Sequence, residues 1–533
     1  MTKKKYLVTS ALIYANGPLH IGHLLEYIQT DIFVRFLRLL GEDVIYVCAD
    51  DMHGTPIQVN AEKQGMKPED FAMRFHREHK EDFSKFLISF DSYSHTNTHI
   101  NEKFTNLFFE TLRKKGYIYT KPIFVMYCPQ CKRFLPDRFV KGICPKCGAP
   151  EQYGDICEKC GSTYNVFELK EPRCAICGAK PEKRESEHFF FRLSAFSDKL
   201  KDWLLQNKEL QPEIVNYVKN WIKESLKDWC ISRDKPYFGF KIPNAKDKFF
   251  YVWFDAPIGY ISATEEFCKK TGLDVFKDYW KNDKCEIIHF IGKDIVYFHF
   301  LFWPAMLMGA EFNLPKAIYV HGMVTVEKEK MSKSRGTFIL AREFIERFKE
   351  PEFLRFYYTS MVSKKLGDVD FSEDEFKHFI NAELIGNIAN FCYRVLSFLN
   401  KNFASTIGSF SEDHHVITEC KKEFNKIKEY YKELNFRDAV KHILKVASLG
   451  NAYFQKEEPW KIVKKDVCKA HEAASICANI VKNLAILLQP ILPRFSAELE
   501  KQLNLSGLKW DDLGFELKEH VIGKAEIILK KIE

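Results

Sequence analysis

Two histidines three residues apart, His20-Ile-Gly-His23, and a lysine–serine cluster about three hundred residues later, Lys330-Met-Ser-Lys-Ser334, are the residues of this chain best suited to chemistry. Each pattern alone arises by chance; as a pair they supply hydrogen-bond donors and cations suited to an anion. Such a set works by positioning and charge stabilisation and needs no nucleophile of its own. From His20 onward, Leu24, Ile28, Ile32, Phe36 and Leu39 keep helical spacing, and Gly41 closes the helix. His20 and His23 then share the first turn, where unpaired N–H groups and the positive end of the helix dipole attract an anion. Gly22 between them removes a side chain where a ligand would approach the backbone.

The elements that must hold these residues are legible too. Residues 5–12 read as a short buried strand, and Asn16-Gly17-Pro18 is turn chemistry. Residues 44–48 form a continuous apolar run ending at Ala49-Asp50-Asp51. Two further runs, 286–291 and 317–320, end in Gly292-Lys293-Asp294 and His321-Gly322. Each run delivers polar residues to the carboxyl end of a strand, where doubly wound α/β sheets bind ligands. The expected fold class is α/β: a Rossmann-like doubly wound parallel sheet split by a cysteine-rich insertion, followed by an all-α helical bundle. Leu384, Ile388, Phe391, Val395 and Phe398 mark an amphipathic helix, and similar patterns are expected to continue to the end. The expected domains are residues 1–116 and 236–323 for the two halves of the catalytic sheet, 117–235 for the insertion, 324–380 for a linking region and 381–533 for the helical part.

Eight of the 16 cysteines form four C-x-x-C pairs: Cys128/Cys131, Cys144/Cys147, Cys157/Cys160 and Cys174/Cys177. Four thiolates complete one tetrahedral zinc site, so eight make two, and the neighbouring Gly and Pro suit knuckle turns. The spacing leaves sequential, alternate and nested pairings open.

The chain has 533 residues, enough for two to four domains, and a net charge of +8, which permits a polyanionic partner without requiring one. Its first residues run straight into a strand, leaving no room for a signal or transit peptide, and no apolar run is long enough to span a membrane. A cytoplasmic protein is expected.

The two signatures together resemble those of class I aminoacyl-tRNA synthetases. Ser10-Ala-Leu-Ile-Tyr14-Ala-Asn-Gly, Tyr251-Val-Trp-Phe-Asp-Ala-Pro-Ile-Gly-Tyr260 and Phe290-Ile-Gly-Lys-Asp-Ile-Val-Tyr-Phe-His299 through Trp303-Pro304 are similar to methionyl-tRNA synthetase motifs, and the likeness spans nearly the whole chain. The resemblance implies activation of L-methionine by ATP to methionyl-adenylate and pyrophosphate, then transfer to the 3′ end of initiator and elongator tRNA(Met). It implies catalytic roles for His20, His23, Lys330 and Lys333, with Lys333 the mobile cation of a loop that closes over pyrophosphate. ATP contacts follow at His20, Gly22, His23, Glu26, Gly292, Asp294, Val324 and Lys333, with Mg2+ accompanying ATP. The methionine pocket falls to Leu12, Tyr14, Asp51, Trp253, Ala256, Pro257, Tyr260, Ile295 and His299. Asp51 would hold the amino group, and Tyr14 O–H or His299 N–H would donate weakly to sulfur. Asn390, Arg394, Pro459 and Trp460 match the positions that recognise the CAU anticodon. The resemblance also selects the nested metal pairing: Cys144, Cys147, Cys157 and Cys160 in one structural zinc site, Cys128, Cys131, Cys174 and Cys177 in the other. One departure stands out: Ile13 occupies the place where the family usually has proline.

Two rival readings stand beside this one. Synthetases for isoleucine, valine or leucine carry a large editing insertion, whereas the insertion here is short, and the cysteine enzyme uses zinc inside its amino-acid site. A non-catalytic RNA-binding protein with zinc knuckles would have no use for intact His20, His23 and Lys333. The chain ends after its helical part, without the appended tRNA-binding barrel of some family members, and a monomer is expected.

Overall fold

Five segments, with the two-residue Ile13–Tyr14 as a short sixth strand, pair in parallel to make the central sheet: β1 (Lys5–Ser10), β2 (Asp43–Asp51), β3 (Ser92–His95), β4 (Cys285–Gly292) and β5 (Ala317–His321). Their spatial order is β3-β2-β1-β4-β5. Succession runs outward from β1 in both directions, so the carboxyl ends of β1 and β4 flank the topological switch point, where such sheets open a ligand crevice. Helix α1 (Ile21–Leu39) returns from β1 to β2, and Gly41 just beyond it takes the left-handed φ of +79° that ends the helix. The computed structural model describes residues 3–331 and 337–533.

The expected strand over residues 5–12 stops at Ser10. Ala11 turns its N–H to the Phe290 carbonyl at 2.9 Å and to the Glu26 carboxylate at 2.6 Å. Pairing resumes at Ile13 and Tyr14, which sit opposite Asp50 and Asp51. β2 in turn is longer than the 44–48 run, because its last polar residues, Asp50 and Asp51, stay in the ladder and become buried. This one-residue irregularity brings Leu12, Tyr14 and Asp51 to the mouth of the crevice.

The insertion is antiparallel. Ile118–Cys128 pairs with Glu182–Phe191, and a smaller three-stranded sheet of Val140–Ile143, Gln152–Tyr153 and Lys170–Cys174 carries knuckles at its ends. Beyond the catalytic sheet, Val324–Val326 pairs with Glu329–Lys330 and Val369–Phe371.

The C-terminal part is helical through α2 (Asn390–Asn402), α3 (His415–Lys432), α4 (Phe436–Glu457), α5 (Val467–Leu488) and α6 (Pro493–Gln502). Leu384, Ile388, Phe391 and Val395 are buried as their spacing requires, and Phe398 packs half-buried against them. The expectation of helical pattern to the end does not hold. After residue 503 the described chain has only a single helical turn, Trp510–Asp512, and a two-residue strand. Asparagine amides of the bundle replace the missing ladder. Asn483 both donates to the Gly514 carbonyl at 2.8 Å and accepts from its N–H at 3.0 Å; Asn479 does the same with Leu517 and Asn381 with Ile532. An amide side chain carries the donor and acceptor of a peptide group, so it satisfies a tail with no strand partner.

Arg355 joins the parts. Fully buried, its guanidinium reaches Asp31 of α1 at 2.7 Å, the Phe86 carbonyl at 3.2 Å, and the Pro490 and Ile491 carbonyls at 2.9 and 2.7 Å. One turn earlier, buried Glu352 caps α6 by accepting from the N–H of Arg494 and Phe495. Burial lifts the Glu352 carboxyl from 4.5 to about 7. Because the folded pKa lies above the unfolded value, the stability linked to this group is fully present at low pH and is lost as pH rises from about 4.5 towards 7. Glu352→Gln is therefore expected to raise the melting temperature at pH 8 by a few degrees and to give no gain at pH 4.5, which paired thermal melts would read.

Candidate active site

The paired histidines are the caps of α1. His20 occupies the N-cap position, and its Nδ1 accepts from Gly22 N–H at 3.1 Å; His23 Nδ1 accepts from His20 N–H at 3.4 Å. This reciprocal box satisfies two otherwise orphaned backbone donors. It also sets the tautomers, since a neutral imidazole that accepts at Nδ1 carries its proton on Nε2. Both rings, stacked with centroids 3.6 Å apart, thus present Nε2–H. Burial and the neighbouring His20 and His79 hold the His23 pKa well below the ordinary value, which keeps the ring neutral.

The second signature lies against this turn. A Cβ on Gly22 would fall 2.3 Å from Met331 Cε and 2.9 Å from the His20 ring, so residue 22 must be small for Met331 to sit where it does. On the far side, Phe338 meets the His20 ring edge-on at 4.9 Å. Ile21 N–H donates to Ile339 at 3.1 Å, and Ala341 N–H donates to Leu19 at 3.0 Å. Lys330 ends the short strand opposite Thr325. Lys333 lies outside the described residues.

The two signatures open onto a cleft of about 1680 Å³ at the switch point. Every described residue expected to contact ATP or methionine lines it: Leu12, Tyr14, His20, Gly22, His23, Glu26, Asp51, Trp253, Ala256, Pro257, Tyr260, Gly292, Asp294, Ile295, His299 and Val324. Gly292 is small because a Cβ there would meet Asp294 Oδ1 at 2.6 Å, and Gly259 because it would meet Leu12 Cδ2 at 2.6 Å. Asp51 is buried, and burial followed by the Asp255 charge pushes its carboxyl well above the usual range. Tyr260 O–H donates to His299 Nε2 at 2.9 Å, and His299 Nδ1–H donates to the Ile295 carbonyl at 3.2 Å. Burial holds His299 down at about 4, so the ring is neutral with its single proton committed to Ile295. His299 is therefore an acceptor toward the pocket in this arrangement, contrary to the expectation that its N–H would donate to a thioether.

Several contacts that hold the site together follow no motif. Glu26 bridges strand ends, its Oε1 accepting from Ala11 N–H and its Oε2 lying 3.0 Å from His321 Nε2. Trp253 stacks on Phe298 with centroids 3.8 Å apart. Asp50 is gripped by His76, His79 and Tyr93 at 2.6–2.8 Å, and His79 Nε2 also holds the Gly17 carbonyl at 2.8 Å, fixing the turn before α1. Polar-to-polar partners separated by tens or hundreds of residues leave no local spacing to find.

The cysteines resolve into two tetrads, Cys128/Cys131/Cys174/Cys177 and Cys144/Cys147/Cys157/Cys160, with all ligand atoms of each within 4.8 Å of one another. The nested pairing is the one present. Sulfur–sulfur separations of 3.4, 4.0, 3.9 and 3.6 Å bracket the ~3.8 Å edge of a tetrahedron built on Zn–S bonds of about 2.3 Å. Backbone N–H groups of Cys131, Cys147 and Cys160 point at sulfur, and Gly148, Gly161 and Gly178 supply the left-handed turn residue after three of the pairs. The residues fit zinc. Metal analysis should give two zinc ions per chain, and Cys144→Ser should remove about one of them and lower the melting temperature.

In the helical domain, Asn390 and Arg394 share one face of α2, and Pro459–Ile462 is a short helix entered through Glu458 at φ 42°. The structure brings Arg394 to Trp460, guanidinium to ring centroid 5.7 Å, and leaves the indole 38% exposed.

A parallel sheet of this order, with imidazole-capped α1 facing a second signature across the switch point, defines a class I aminoacyl-tRNA synthetase core. Residues 6–396 match the family described as tRNA synthetases class I (M), and residues 405–530 match the anticodon binding domain of methionyl tRNA ligase. The chain is similar to Mycobacterium tuberculosis methionyl-tRNA synthetase in complex with methionyl-adenylate: 25% identity, TM-score 0.81, covering 97% of this chain and 98% of that one. A second structure of that enzyme bound by methionyl-adenylate gives 24% identity, TM-score 0.82, and coverage of 98% and 99%. The chain belongs to the methionyl-tRNA synthetase family, ligases that activate methionine and charge tRNA with it.

Proposed function

We propose that this chain converts L-methionine and ATP to methionyl-adenylate and pyrophosphate in the cleft at the switch point, then transfers the methionyl group to the 3′ end of both initiator and elongator tRNA(Met). The observation that carries this reading is the convergence of the described ATP and methionine residues on one cavity. Asp51 takes the α-ammonium, while Leu12, Tyr14, Trp253, Ala256, Pro257, Tyr260, Ile295 and His299 enclose the side chain. The methionine carboxylate attacks the α-phosphorus, a carboxylate oxygen–phosphorus bond forms, and the bond to pyrophosphate breaks. His20 and His23 donate from Nε2 to the phosphates, and Lys330 and Lys333 meet the charge that develops on the leaving group. Gly22, Glu26, Gly292, Asp294 and Val324 seat the nucleotide. Mg2+ bound with ATP neutralises phosphate charge. Asn390, Arg394, Pro459 and Trp460 read the anticodon.

The reading extends to a monomeric, cytoplasmic enzyme with two structural zinc ions and the domain limits given above. Among the described residues, no helix is long and apolar enough to cross a membrane. The test is ATP–pyrophosphate exchange with each of the twenty amino acids in the absence of tRNA. Exchange with methionine alone is expected; exchange with a different amino acid would overturn the pocket assignment, and none at all would overturn the reading.

A further inference from the structure

Two ionisable side chains without a task in this scheme lie directly behind the methionine end of the cleft. His53 follows Asp51 by two residues, just past β2. Asp255 ends the short helix Val252–Asp255, which bears Trp253 and leads into Ala256 and Pro257. His53 Nδ1 and Asp255 Oδ2 are 2.6 Å apart, with side chains 1% and 0% exposed. Neither residue is among those lining the cavity. Their contact, across 202 positions of sequence, joins the wall carrying the ammonium-binding carboxylate to the wall that encloses the side chain.

The charges around Asp51 give this contact a second consequence. Asp255 opposes ionisation of Asp51, whereas His53 favours it through its charge and through its backbone N–H, 3.4 Å from Asp51 Oδ1. Burial works against a charged His53, but the Asp255 charge and hydrogen bond, with Asp51 and Asn97 adding to them, raise the ring's pKa overall; burial raises the Asp255 carboxyl as well, against the pull of His53. The other groups facing the pair do not replace that charge. Asn97 offers its amide oxygen to His53 Nε2 at 3.3 Å, and Phe238 and Phe240 present ring edges. Burial holds nearby His95 at about 4, so it is neutral. Asp50 is already matched by His76, His79 and Tyr93. Tyr14, Tyr237, Tyr251 and Tyr260 are held as phenols by burial, and the Arg233 guanidinium lies over the Tyr251 ring at 3.7 Å.

We propose that His53 and Asp255 are a positioning pair for methionine, whose buried contact keeps the two pocket walls in register and offsets the Asp255 charge that opposes an ionised Asp51 beside the incoming ammonium. This rests on the methionine-activating reading above, which makes Asp51 the ammonium partner. With the pair intact, a protonated His53 offsets the Asp255 carboxylate, so the charge of an Asp51 carboxylate is left to the substrate ammonium to balance. Without the imidazolium, two carboxylates would share a dry site, and one would retain a proton. A protonated Asp51 gives the ammonium no counter-charge.

The experiment is methionine-dependent pyrophosphate exchange by the full-length, zinc-loaded protein between pH 6 and 9. His53→Gln keeps a donor for Asp255 and removes the charge. It is expected to raise KM for methionine roughly 10- to 100-fold while KM for ATP and kcat stay within about threefold, as loss of a buried charge partner should do. The acid limb of log(1/KM) for methionine should move up by about one pH unit. The double variant His53→Gln/Asp255→Asn restores a single negative charge and should return KM for methionine to within about threefold of the parent. An unchanged KM in His53→Gln would overturn the proposal. So would a double variant as impaired as the single, or a loss spread equally over kcat and both KM values, because each marks a purely structural contact. Failure of the underlying reading is separate: the parent protein would then show no methionine-dependent exchange.

Discussion

Lys333→Ala is expected to slow methionine-dependent pyrophosphate exchange by about 10²–10³-fold, the usual cost of losing one group aimed at developing charge, with methionine affinity nearly intact. The described flanks of its loop supply the reason. Met331 packs over Gly22, Phe338 stands edge-on to His20, and residues 339–341 hydrogen-bond to the chain at Leu19–Ile21. Both ends of the segment carrying Lys333 are thus fastened to the first turn of α1, where the two Nε2–H donors point. On the proposed reading, a cation from that segment is expected to serve the triphosphate and not the methionine ammonium, which falls to Asp51. Single-turnover adenylate formation measures the effect, and equilibrium binding of methionine measures the control. An unchanged rate would remove Lys333 from the mechanism, and equal loss of binding and rate would place it in the methionine pocket instead.

What the sequence discloses and what it hides divide along one physical line. Local, repeated spacing was readable: apolar runs that become β1, β2, β4 and β5, the 3.6-residue period of α1, and C-x-x-C pairs whose backbone turns are built within five residues. The paired signatures were readable because each is local and their order is meaningful. Three features were not. The polar tail after residue 503 alternates apolar residues densely enough to suggest helix, yet its backbone is satisfied by Asn381, Asn400, Asn479 and Asn483, side chains with no reason to be read as strand partners. Arg355 spans three parts of the fold through contacts 135 to 324 residues away, and nothing around it in sequence distinguishes it from a surface arginine. The same holds for His53 with Asp255 and Glu26 with His321. Buried polar pairing depends on which elements the topology makes neighbours, so it becomes visible only after the sheet order is known.

That reasoning bears on the far end of the molecule, where Trp460→Ala is expected to lower kcat/KM for tRNA charging by about 10- to 100-fold and to leave pyrophosphate exchange within about twofold. Stacking of one unpaired base on an aromatic side chain contributes roughly 1–3 kcal/mol, which brackets that loss. The left-handed residue Glu458 breaks the run of α4 and starts the short helix that lifts the indole out of the core. The ring is 38% exposed, rests edge-on against Phe454 at 5.6 Å, and shares the Arg394 guanidinium with it. An exposed face backed by a packed aromatic is a rigid platform that loses little conformational freedom when a base stacks on it. Arg394 beside it can hydrogen-bond along the same base's edge. Truncation to alanine leaves the buried Phe454 in place, so stability should change little. Trp460 is not among the residues lining the cleft, so adenylate chemistry has no route to feel its loss. A parallel fall in exchange and charging would identify the indole as a structural prop, whereas a fall in charging alone assigns it to the anticodon.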